Sequence, residues 1–431
     1  MADLRPRTRR SPSPRGIARH GQLKKGGPLP ALFAIVGAAL VVLLVSAGGV
    51  AGISAMNLAT KITKGSVDIG EEGEEAPPAV GALKGGFNVL IVGSDQCEEW
   101  DGCQGPGDRG SGKLNDVTML LHVSEDLTNA VAVSFPRDLI VPIPSCKRED
   151  GNGDTAAMAA QQINVTLSDG GLPCTVKTVE ALTGLNIQYA GLITFKGVIA
   201  MSNAIGGVKV CVTGDLDDDY AKIHLKKGTH TLKGAEALAF LRSRHGIGDG
   251  SDITRISSQQ TYLTSLVRKL QSKGTLGDAG TVYKLANAAA DNMQLSTSLA
   301  SLDTMYSMAL ALKDIPLDSI TFVQYPSRLN VPGPYEQKAL PDVAKATQLF
   351  DLIKADKPFK LANNGENAGA TEDPNADEDD YTPATNSPST SDPSSSSTST
   401  PKPTKTSDAD KETIDIDGIT SDQKSCSVTN N

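Results

Sequence analysis

Three arginines lie close together in the stretch LRSRHGIGDGSDITRISSQQ (241–260). Arg242 and Arg244 are two positions apart, and Arg255 follows after a run of glycines. The planar guanidinium group of arginine engages two oxygens of a phosphate at once. The spacing therefore predicts a phosphate-binding array. The alternative from the sequence is surface ion pairing with neighbouring aspartates.

A helix must position part of this array. Ser251 is a good N-cap, so the sequence predicts a helix from Asp252 onward, with Arg255 and Gln259 on one face. The free N–H groups of a helix start favour an anion. The two upstream arginines would point apart on a helix, so the preceding helix is expected to end near Leu241 and the chain to run extended there.

A second cluster follows the predicted strands. Arg137 and Asp138 come directly after the strand AVAVSF, Asp95 follows FNVLIV, and Asp116 precedes VTMLL. Because ligands in α/β sheets gather beyond the carboxyl ends of strands, Asp95 and Arg137 are expected to share one mouth. Two carboxylates near arginines predict an oxygen-ligand site for Mg²⁺, completed by phosphate oxygens and water.

The elements that carry these residues alternate along the chain. Strand-length apolar runs occupy residues 87–92, 117–123, 130–135, 208–212 and 319–325. Helical periodicity occupies residues 176–184, 195–206, 233–241, 252–271, 298–312 and 341–355. This alternation predicts a three-layer α/β/α sandwich with a central mixed sheet.

The two ends of the chain differ from the centre. Residues 1–27 are basic and residues 28–56 carry no charge, which predicts a transmembrane helix with a cytoplasmic N-terminus. A cleaved signal peptide is the alternative. Residues 57–84 are interpreted as a stalk, and residues 85–360 as an extracytoplasmic domain. The acidic Ser/Thr/Pro-rich stretch 361–431 is predicted to be a disordered tail.

Charge excludes one class of partner. The net charge is −9, and the segment between the basic N-terminus and the acidic tail retains about −6 of it. Nucleic-acid binding needs a broad basic face, so no nucleic acid is expected. Arginines that lie together within an acidic domain indicate a local function of that cluster and not a broad basic surface.

Cysteines agree with export. Four of them flank two short loops, in the pairs Cys97/Cys103 and Cys146/Cys174. Such pairs oxidise outside the cytoplasm, although spacing does not fix their connectivity. Cys211 is expected to be a buried thiol in an apolar strand, and Cys426 stands alone in the tail.

The ordered segments resemble the LytR-CpsA-Psr family. The resemblance runs from about Phe87 to Leu270, through VGSD, NDVTMLLHV, VAVSFPRDLIVPIP, QQIN, FKGVIAMSNAIGGVKV, LKGAEALAFLRSRHG and DITRISSQQ. Members take a glycopolymer from a polyprenyl-pyrophosphate carrier in the membrane and attach it to peptidoglycan through a phosphodiester. The resemblance implies the same phosphotransferase activity for this chain.

The resemblance also implies roles for individual residues. The pyrophosphate would be held by Arg137, Arg242, Arg244, Arg255 and Gln259. Asp95 and Asp116 would surround the Mg²⁺, and the lipid tail would enter a cleft between sheet and helices. Asp116 or Asp138 would accept the proton of the acceptor hydroxyl.

Departures from the family pattern occur in the anionic cradle. Leu114 stands where the family has an arginine, with Lys113 adjacent, and Ser258 replaces the second arginine before the glutamines. Gln162 and Asn164 lie in a segment that often carries lysine. Two rival functions remain: a lipid-pyrophosphate hydrolase that uses water as acceptor, and a non-catalytic binder of anionic wall polymers.

Overall fold

The computed structural model describes residues 56–70, 85–94, 113–272, 275, 278–365, 369–374 and 411–430. The chain divides into two units, Met1–Met56 and Asn57–Asn431. The predicted transmembrane helix 28–56 lies outside the described residues, apart from its last residue. Within the ranges given above, no helix is both long enough and apolar enough to cross a bilayer.

Strands and helices alternate along the second unit. In chain order the described strands are β1 (Phe87–Ser94), β2 (Asn115–Val123), β3 (Ala130–Phe135), β4 (Ile140–Ile143), β5 (Met158–Gln162), β6 (Tyr189–Ile193), β7 (Val208–Val212), β8 (Leu216–Asp218), β9 (Ile223–Leu225), β10 (Gly228–Leu232), β11 (Met293–Leu295), β12 (Ile320–Gln324), β13 (Ser327–Arg328), β14 (Leu340–Pro341), β15 (Phe359–Leu361), β16 (Ala370–Glu372), β17 (Glu412–Ile414), β18 (Gly418–Thr420) and β19 (Ser425–Ser427). The described helices are α1 (which includes residues 57–64), α2 (Thr166–Thr183), α3 (Phe195–Ala204), α4 (Ala235–Arg242), α5 (Asp252–Gln271), α6 (Ala279–Asn292), α7 (Leu302–Asp314) and α8 (Val343–Lys354).

The central sheet has seven strands in the order β11-β6-β1-β2-β3-β12-β18. The pairs β1–β6 and β3–β12 are parallel, and the other neighbours are antiparallel. The sheet is therefore mixed, as predicted. Its middle strands β1, β2 and β3 correspond to the three strongest apolar runs of the sequence.

Helices cover both faces of this sheet. Along β1 the side chains alternate, so that Leu90 and Val92 belong to one hydrophobic core and Val89 and Ile91 to another. The first core contains apolar residues of α2 and α8. The second contains residues of α1, α5, α6 and α7. The predicted three-layer arrangement is the observed one.

The prediction that residues 361–431 form a disordered tail is wrong for the described part of this segment. Strands β17 to β19 lie within residues 411–430, and β19 pairs with β7 and β16 in a four-stranded sheet. Strand β18 forms one edge of the central sheet. Ile414, Ile416 and Ile419 are all buried, and the strands are held by pairing with distant partners, β18 with β12 and β19 with β7.

Two disulfides join distant parts of the chain. Cys146 pairs with Cys174, as the sequence allowed. Cys211 pairs with Cys426, so the expectations of a buried thiol at 211 and an isolated cysteine at 426 are wrong. These two residues face each other in the parallel pairing of β7 and β19. Cys97 and Cys103 lie outside the described residues.

The predicted stalk 57–84 also begins as part of the domain. Leu58 and Ile62 of α1 are buried in the second core, and the amide of Val67 donates to the carbonyl of Leu295 at 2.9 Å. Apolar side chains one helical turn apart were enough to dock this segment. Residues 71–84 lie outside the described part.

Candidate functional site

Asp116 and Arg137 meet because β2 and β3 are antiparallel neighbours. In the register of this pair Thr118 lies opposite Phe135. Asp116 is two residues before Thr118, and Arg137 is two residues after Phe135, so both fall at the same edge of the sheet. Arg137 Nη1 donates to Asp116 Oδ1 at 2.7 Å.

The start of α5 brings a second arginine to this edge. The Ser251 side chain accepts from the amide of Thr254, which confirms the predicted N-cap. One turn into the helix, Arg255 Nη2 lies 2.6 Å from Asp252 Oδ1 and 3.0 Å from the backbone carbonyl of Asp116. The helix therefore docks its first turn directly against β2.

The third arginine comes from the extended segment before α5. Helix α4 ends at Arg242, and Ser243 has φ −62° and ψ 134°, an extended conformation. The chain thus leaves the helix one residue later than Leu241, where the sequence placed the break. Arg244 then points its Nη2 to Asp252 Oδ1 at 2.9 Å.

Asp252 is the common partner of these arginines. Its Oδ1 contacts Arg244 and Arg255, and it lies 3.8 Å from Nε of Arg137. The side chain of Asp252 is only 15% exposed. The ion pairing that the sequence offered as the alternative is therefore present at Asp252, but this carboxylate is largely buried and gathers three guanidinium groups.

The cluster carries more positive than negative charge. Arg137, Arg244 and Arg255 share two close carboxylates, those of Asp116 and Asp252. Burial, followed by the charges of Arg255 and Arg137, lowers the pKa of Arg244 to about 10. The part of this shift that comes from Arg255 and Arg137 reflects the positive charge that surrounds Arg244.

Two donors of the cluster lack partners. The Nε atoms of Arg137 and Arg255 are buried, and neither has a hydrogen-bond acceptor among the described residues. A buried donor without an acceptor costs free energy, about 1–3 kcal/mol. Phosphate oxygens are acceptors of the kind that guanidinium groups bind.

Asp116 is ionised in this setting. Burial acts to raise its pKa, but the charges of Arg255, Arg137 and Arg244 and the hydrogen bond from Arg137 outweigh burial, so the pKa lies below 3.8. The reciprocal effect on Arg137 is an increased pKa, because its burial is outweighed by Asp116. The pair is a fixed charge pair at neutral pH.

Asp138 lies at the rim of the cluster. Its Oδ2 is 3.9 Å from Nε of Arg137, and its Oδ1 is 3.5 Å from Nζ of Lys338. Lys338 also donates to Oε1 of Gln162 at 3.0 Å. Sequence reasoning missed Lys338, because it lies in a loop about 200 residues from Asp138 and belongs to no motif.

Two further residues predicted to hold the pyrophosphate, Arg242 and Gln259, also contact neighbouring helices. The Cζ atom of Arg242 is 4.4 Å from the ring centroid of Phe195, a cation–π contact between α4 and α3. Gln259 Nε2 donates to the carbonyl of Leu241 at 2.9 Å. The structure thus gives Gln259 a different role from the predicted one: it ties α5 to the end of α4.

Asp218 is a positioning residue that sequence reasoning also missed. It is buried, and its Oδ2 accepts from the Ser243 hydroxyl and from the amides of Arg244 and His245 at 2.8–3.0 Å. Its Oδ1 accepts from two further amides within its own loop. The carboxylate of Asp218 therefore fixes the extended segment that carries Arg244.

The donor set fits a divalent cation only in part. Mg²⁺ is bound in proteins by one or two carboxylates together with waters and phosphate oxygens. Asp116 is an ionised carboxylate at the rim of the array and could supply one ligand, while Asp95 lies outside the described residues. The described residues contain two close three-ligand groups, and neither includes Asp116: one contains the disulfide sulfurs, the other is the exposed set Asp217, Asp219 and His224.

Fold and site together define an α/β protein with a cluster of arginines and aspartates at one edge of its sheet. The LytR_cpsA_psr family matches residues 53–350. The chain belongs to this family.

Known relatives agree with this membership. The cell wall biosynthesis protein LcpA of Corynebacterium glutamicum is 26% identical over 309 residues, which are 67% of this chain and 58% of LcpA. TagT of Bacillus subtilis, named a polyisoprenyl-teichoic acid–peptidoglycan teichoic acid transferase, is 27% identical over 315 residues, 71% of this chain and 90% of TagT. The crystal structure of gbs0355 from Streptococcus agalactiae superposes with a TM-score of 0.50 at 21% identity, over 63% of this chain and 88% of gbs0355, and supports the fold.

Proposed function

We propose that this protein is a phosphotransferase that moves a glycopolymer from a polyprenyl-pyrophosphate carrier to a hydroxyl group of peptidoglycan. The product is a phosphodiester. The name of TagT describes a transfer of this kind in a relative that aligns over 90% of its length. The chain spans 58% of LcpA, so the activity of that whole protein is carried over only as part of the proposal.

The proposal rests mainly on the convergence of three arginines on one carboxylate. Arg137, Arg244 and Arg255 come from three separate elements and converge on Asp252. Two buried Nε donors in the same cluster await acceptors. A diphosphate offers enough oxygens and charge to satisfy these donors and to offset the excess positive charge of the cluster.

The arginines would act mainly on the transition state. The acceptor oxygen forms a bond to the phosphorus next to the glycopolymer, and the bond to the bridging oxygen breaks. Polyprenyl phosphate leaves with the bonding electrons. Guanidinium groups already held by Asp252 and Asp116 stabilise the charge that builds up on the equatorial and leaving oxygens without rearranging.

A carboxylate is needed to take the proton of the acceptor hydroxyl. Asp116 is hydrogen-bonded to Arg137 at 2.7 Å and its pKa is low, which makes it a weak base. Asp138 has longer contacts, 3.5 Å to Lys338 and 3.9 Å to Arg137. We therefore assign proton acceptance to Asp138 and electrostatic positioning to Asp116.

Mg²⁺ is part of the proposal. Asp116 would hold it, with Asp95 as a second protein ligand and the phosphate oxygens completing the coordination. The ion supplies Lewis-acid stabilisation of phosphoryl charge when bound. Asp116 can take this place because its ionised carboxylate is 24% exposed and only one of its oxygens is engaged by Arg137.

A polar cavity beside the array suits the acceptor. Strands β3 and β12 are parallel and end at the same edge of the sheet. The cavity of about 270 Å³ lies at the end of β12 and is lined by residues that include Ile253, Tyr325 and Ser327. Ile253 belongs to the first turn of α5, so the cavity borders the helix that carries Asp252 and Arg255.

The proposal includes a location. The uncharged stretch 28–56 would anchor the chain as a single-pass protein with its N-terminus in the cytoplasm and the second unit outside. Two disulfides in the described residues support an oxidising compartment. The carrier lipid and the wall are both accessible from that side of the membrane.

The deciding experiment supplies a lipid-linked glycopolymer to the purified protein with and without peptidoglycan fragments. A new phosphodiester in the presence of fragments, detected by ³¹P NMR, is the expected result. Arg255→Lys keeps the charge but loses the two-pronged geometry, so its rate is expected to fall about 100-fold. Arg148→Lys, at an exposed position, is the matched control. Formation of glycopolymer phosphate and polyprenyl phosphate without fragments would favour the hydrolase, and binding without turnover would favour the non-catalytic binder.

A further inference from the structure

The loop between Arg244 and α5 is rich in glycine. Gly246, Gly248 and Gly250 fall within five residues, and the last two have φ of 50° and 79°. Two backbone hydrogen bonds form turns inside the loop, from the amide of Ile247 to the carbonyl of Arg244 at 3.1 Å and from the amide of Gly250 to the carbonyl of Ile247 at 2.9 Å. Glycine loses the most conformational freedom on folding, so contacts from outside the loop add to its order. This loop joins Arg244 to the helix that carries Asp252 and Arg255.

The C-terminal end of the chain holds this loop. The amide of Gly248 donates to the carbonyl of Val428 at 2.9 Å, and the amide of Asn430 donates to the carbonyl of Gly246 at 3.3 Å. Ile247 and Thr429 form the antiparallel bridge between these two bonds. Asn430 also donates its side-chain amide to the carbonyl of His245.

The C-terminal end is itself firmly placed. Cys426 is bonded to Cys211 two residues before this contact. The amide of Val428 donates to the carbonyl of Gly369 at 3.1 Å, and the amide of Thr429 donates to the hydroxyl of Thr213 at 3.2 Å. The loop is thus braced against a strand that is fixed on its other sides.

We propose that residues 428–430 are a positioning element of the anion site. They hold the glycine loop in the shape that keeps Arg244 within 2.9 Å of Asp252, while Asp218 holds the other end of the same segment. This inference rests on the proposed function, because it assigns the element to diphosphate binding. It makes the far end of the chain, about 180 residues after the loop, part of the site.

The cost of losing the element follows from chain entropy. Freeing the glycine loop restores the backbone conformational freedom that its residues lose on folding. Part of that must be lost again when a ligand binds, so affinity falls. A weakening of diphosphate binding by about tenfold corresponds to 1.4 kcal/mol.

The test compares the full chain with a chain that ends at Ser427. This truncation keeps Cys426 and the strand β19 but removes the loop contacts. Asn430→Ala is a second, milder variant, and Glu412→Ala, at an exposed position of the same C-terminal region, is the control. Inorganic pyrophosphate affinity is measured by calorimetry, amide exchange of residues 243–252 by mass spectrometry, and folding by the thermal midpoint.

In the truncated chain we expect faster amide exchange of residues 243–252 and about tenfold weaker pyrophosphate binding. The thermal midpoint should stay close to that of the control. Asn430→Ala should show the same changes to a smaller degree. Unchanged exchange, or faster exchange with unchanged affinity, overturns the inference. If the intact chain does not bind pyrophosphate, the proposed function fails. Whether residues 428–430 order the loop is then decided by amide exchange alone, and unchanged exchange after truncation overturns that part of the inference.

Discussion

Arg244 and Asp252 are joined by a 2.9 Å ion pair that closes the glycine-rich loop between them. The contact brings the extended segment after α4 and the first turn of α5 to the same point. Asp252 also accepts from Arg255 at 2.6 Å. The loop therefore holds two guanidinium groups against the same carboxylate. The positive charges of Arg244 and Arg255 repel each other, and the shared carboxylate of Asp252 offsets this repulsion.

Replacing Arg244 by methionine should weaken diphosphate binding and stabilise the unliganded protein. The expected loss of affinity is about 10- to 100-fold, as for a charge-assisted hydrogen bond. The free energy of unfolding should rise by about 1 kcal/mol, after allowance for solvent screening. Calorimetry with pyrophosphate and urea unfolding at neutral pH measure the two effects.

The sign of the stability effect follows from the pKa of Arg244. Its folded-state pKa of about 10 lies below the ordinary value for arginine, so the folded protein holds this proton less tightly than the unfolded chain. The charged group therefore costs stability below pH 10, and the cost disappears as pH rises through 10. A methionine variant that is less stable than the parent at pH 7 would contradict this reading.

Asp252→Asn removes the carboxylate that gathers the arginines. The unliganded variant should lose about 2–4 kcal/mol of unfolding free energy, because a largely buried ion network is left without its anion. Pyrophosphate would then replace the missing charge. The rise in thermal midpoint on adding saturating pyrophosphate should be larger in the variant than in the parent, and an equal or smaller rise would argue against a shared anion site.

Asp116 should give stability a pH dependence in the acid range. Its folded-state pKa is below 3.8, so its contribution is present above that value and is lost as pH falls through the folded pKa. Asp116→Asn should cost about 1–3 kcal/mol at neutral pH. Urea titrations of both proteins from neutral pH to about pH 2 should converge, whereas a difference independent of pH would point to packing instead.

The two disulfides should differ in their contribution to stability. Cys211–Cys426 closes a separation of 215 residues, and Cys146–Cys174 closes one of 28. Loop-closure entropy therefore predicts that the Cys211→Ser/Cys426→Ser double variant loses about 1–2 kcal/mol more than the Cys146→Ser/Cys174→Ser variant. Chemical denaturation of the two double variants is the measurement, and the reverse order would exclude an entropic origin.

Much of the fold could be predicted because single elements carry strong local signals. Helix α5 begins and ends at the predicted residues, Asp252 and Gln271, since Ser251 caps it and the apolar spacing is regular. The helix α6, Ala279–Asn292, was missed although Asp278 caps it, because its buried face is built mostly from alanine. The C-terminal strands were missed because each is only three residues long and depends on pairing with distant strands.

The site could be predicted only where register or capping brings residues together. Arg137 and Asp116 meet through adjacent strands, and Arg255 follows from the cap of α5. Arg242 and Arg244 look alike in sequence, but α4 ends at Arg242, and Arg244 lies in the extended segment that pairs with Asp252. Where an aspartate finds its partners depends on tertiary contacts that no short motif records.

The most direct measurement is a crystal structure of the protein with a short-chain polyprenyl diphosphate and Mg²⁺. We expect density for both phosphates within hydrogen-bonding distance of the guanidinium groups of Arg137, Arg244 and Arg255. The lipid chain should lead away from Asp252. Diphosphate bound elsewhere on the protein, with those three arginines still engaged only by Asp116 and Asp252, would contradict it.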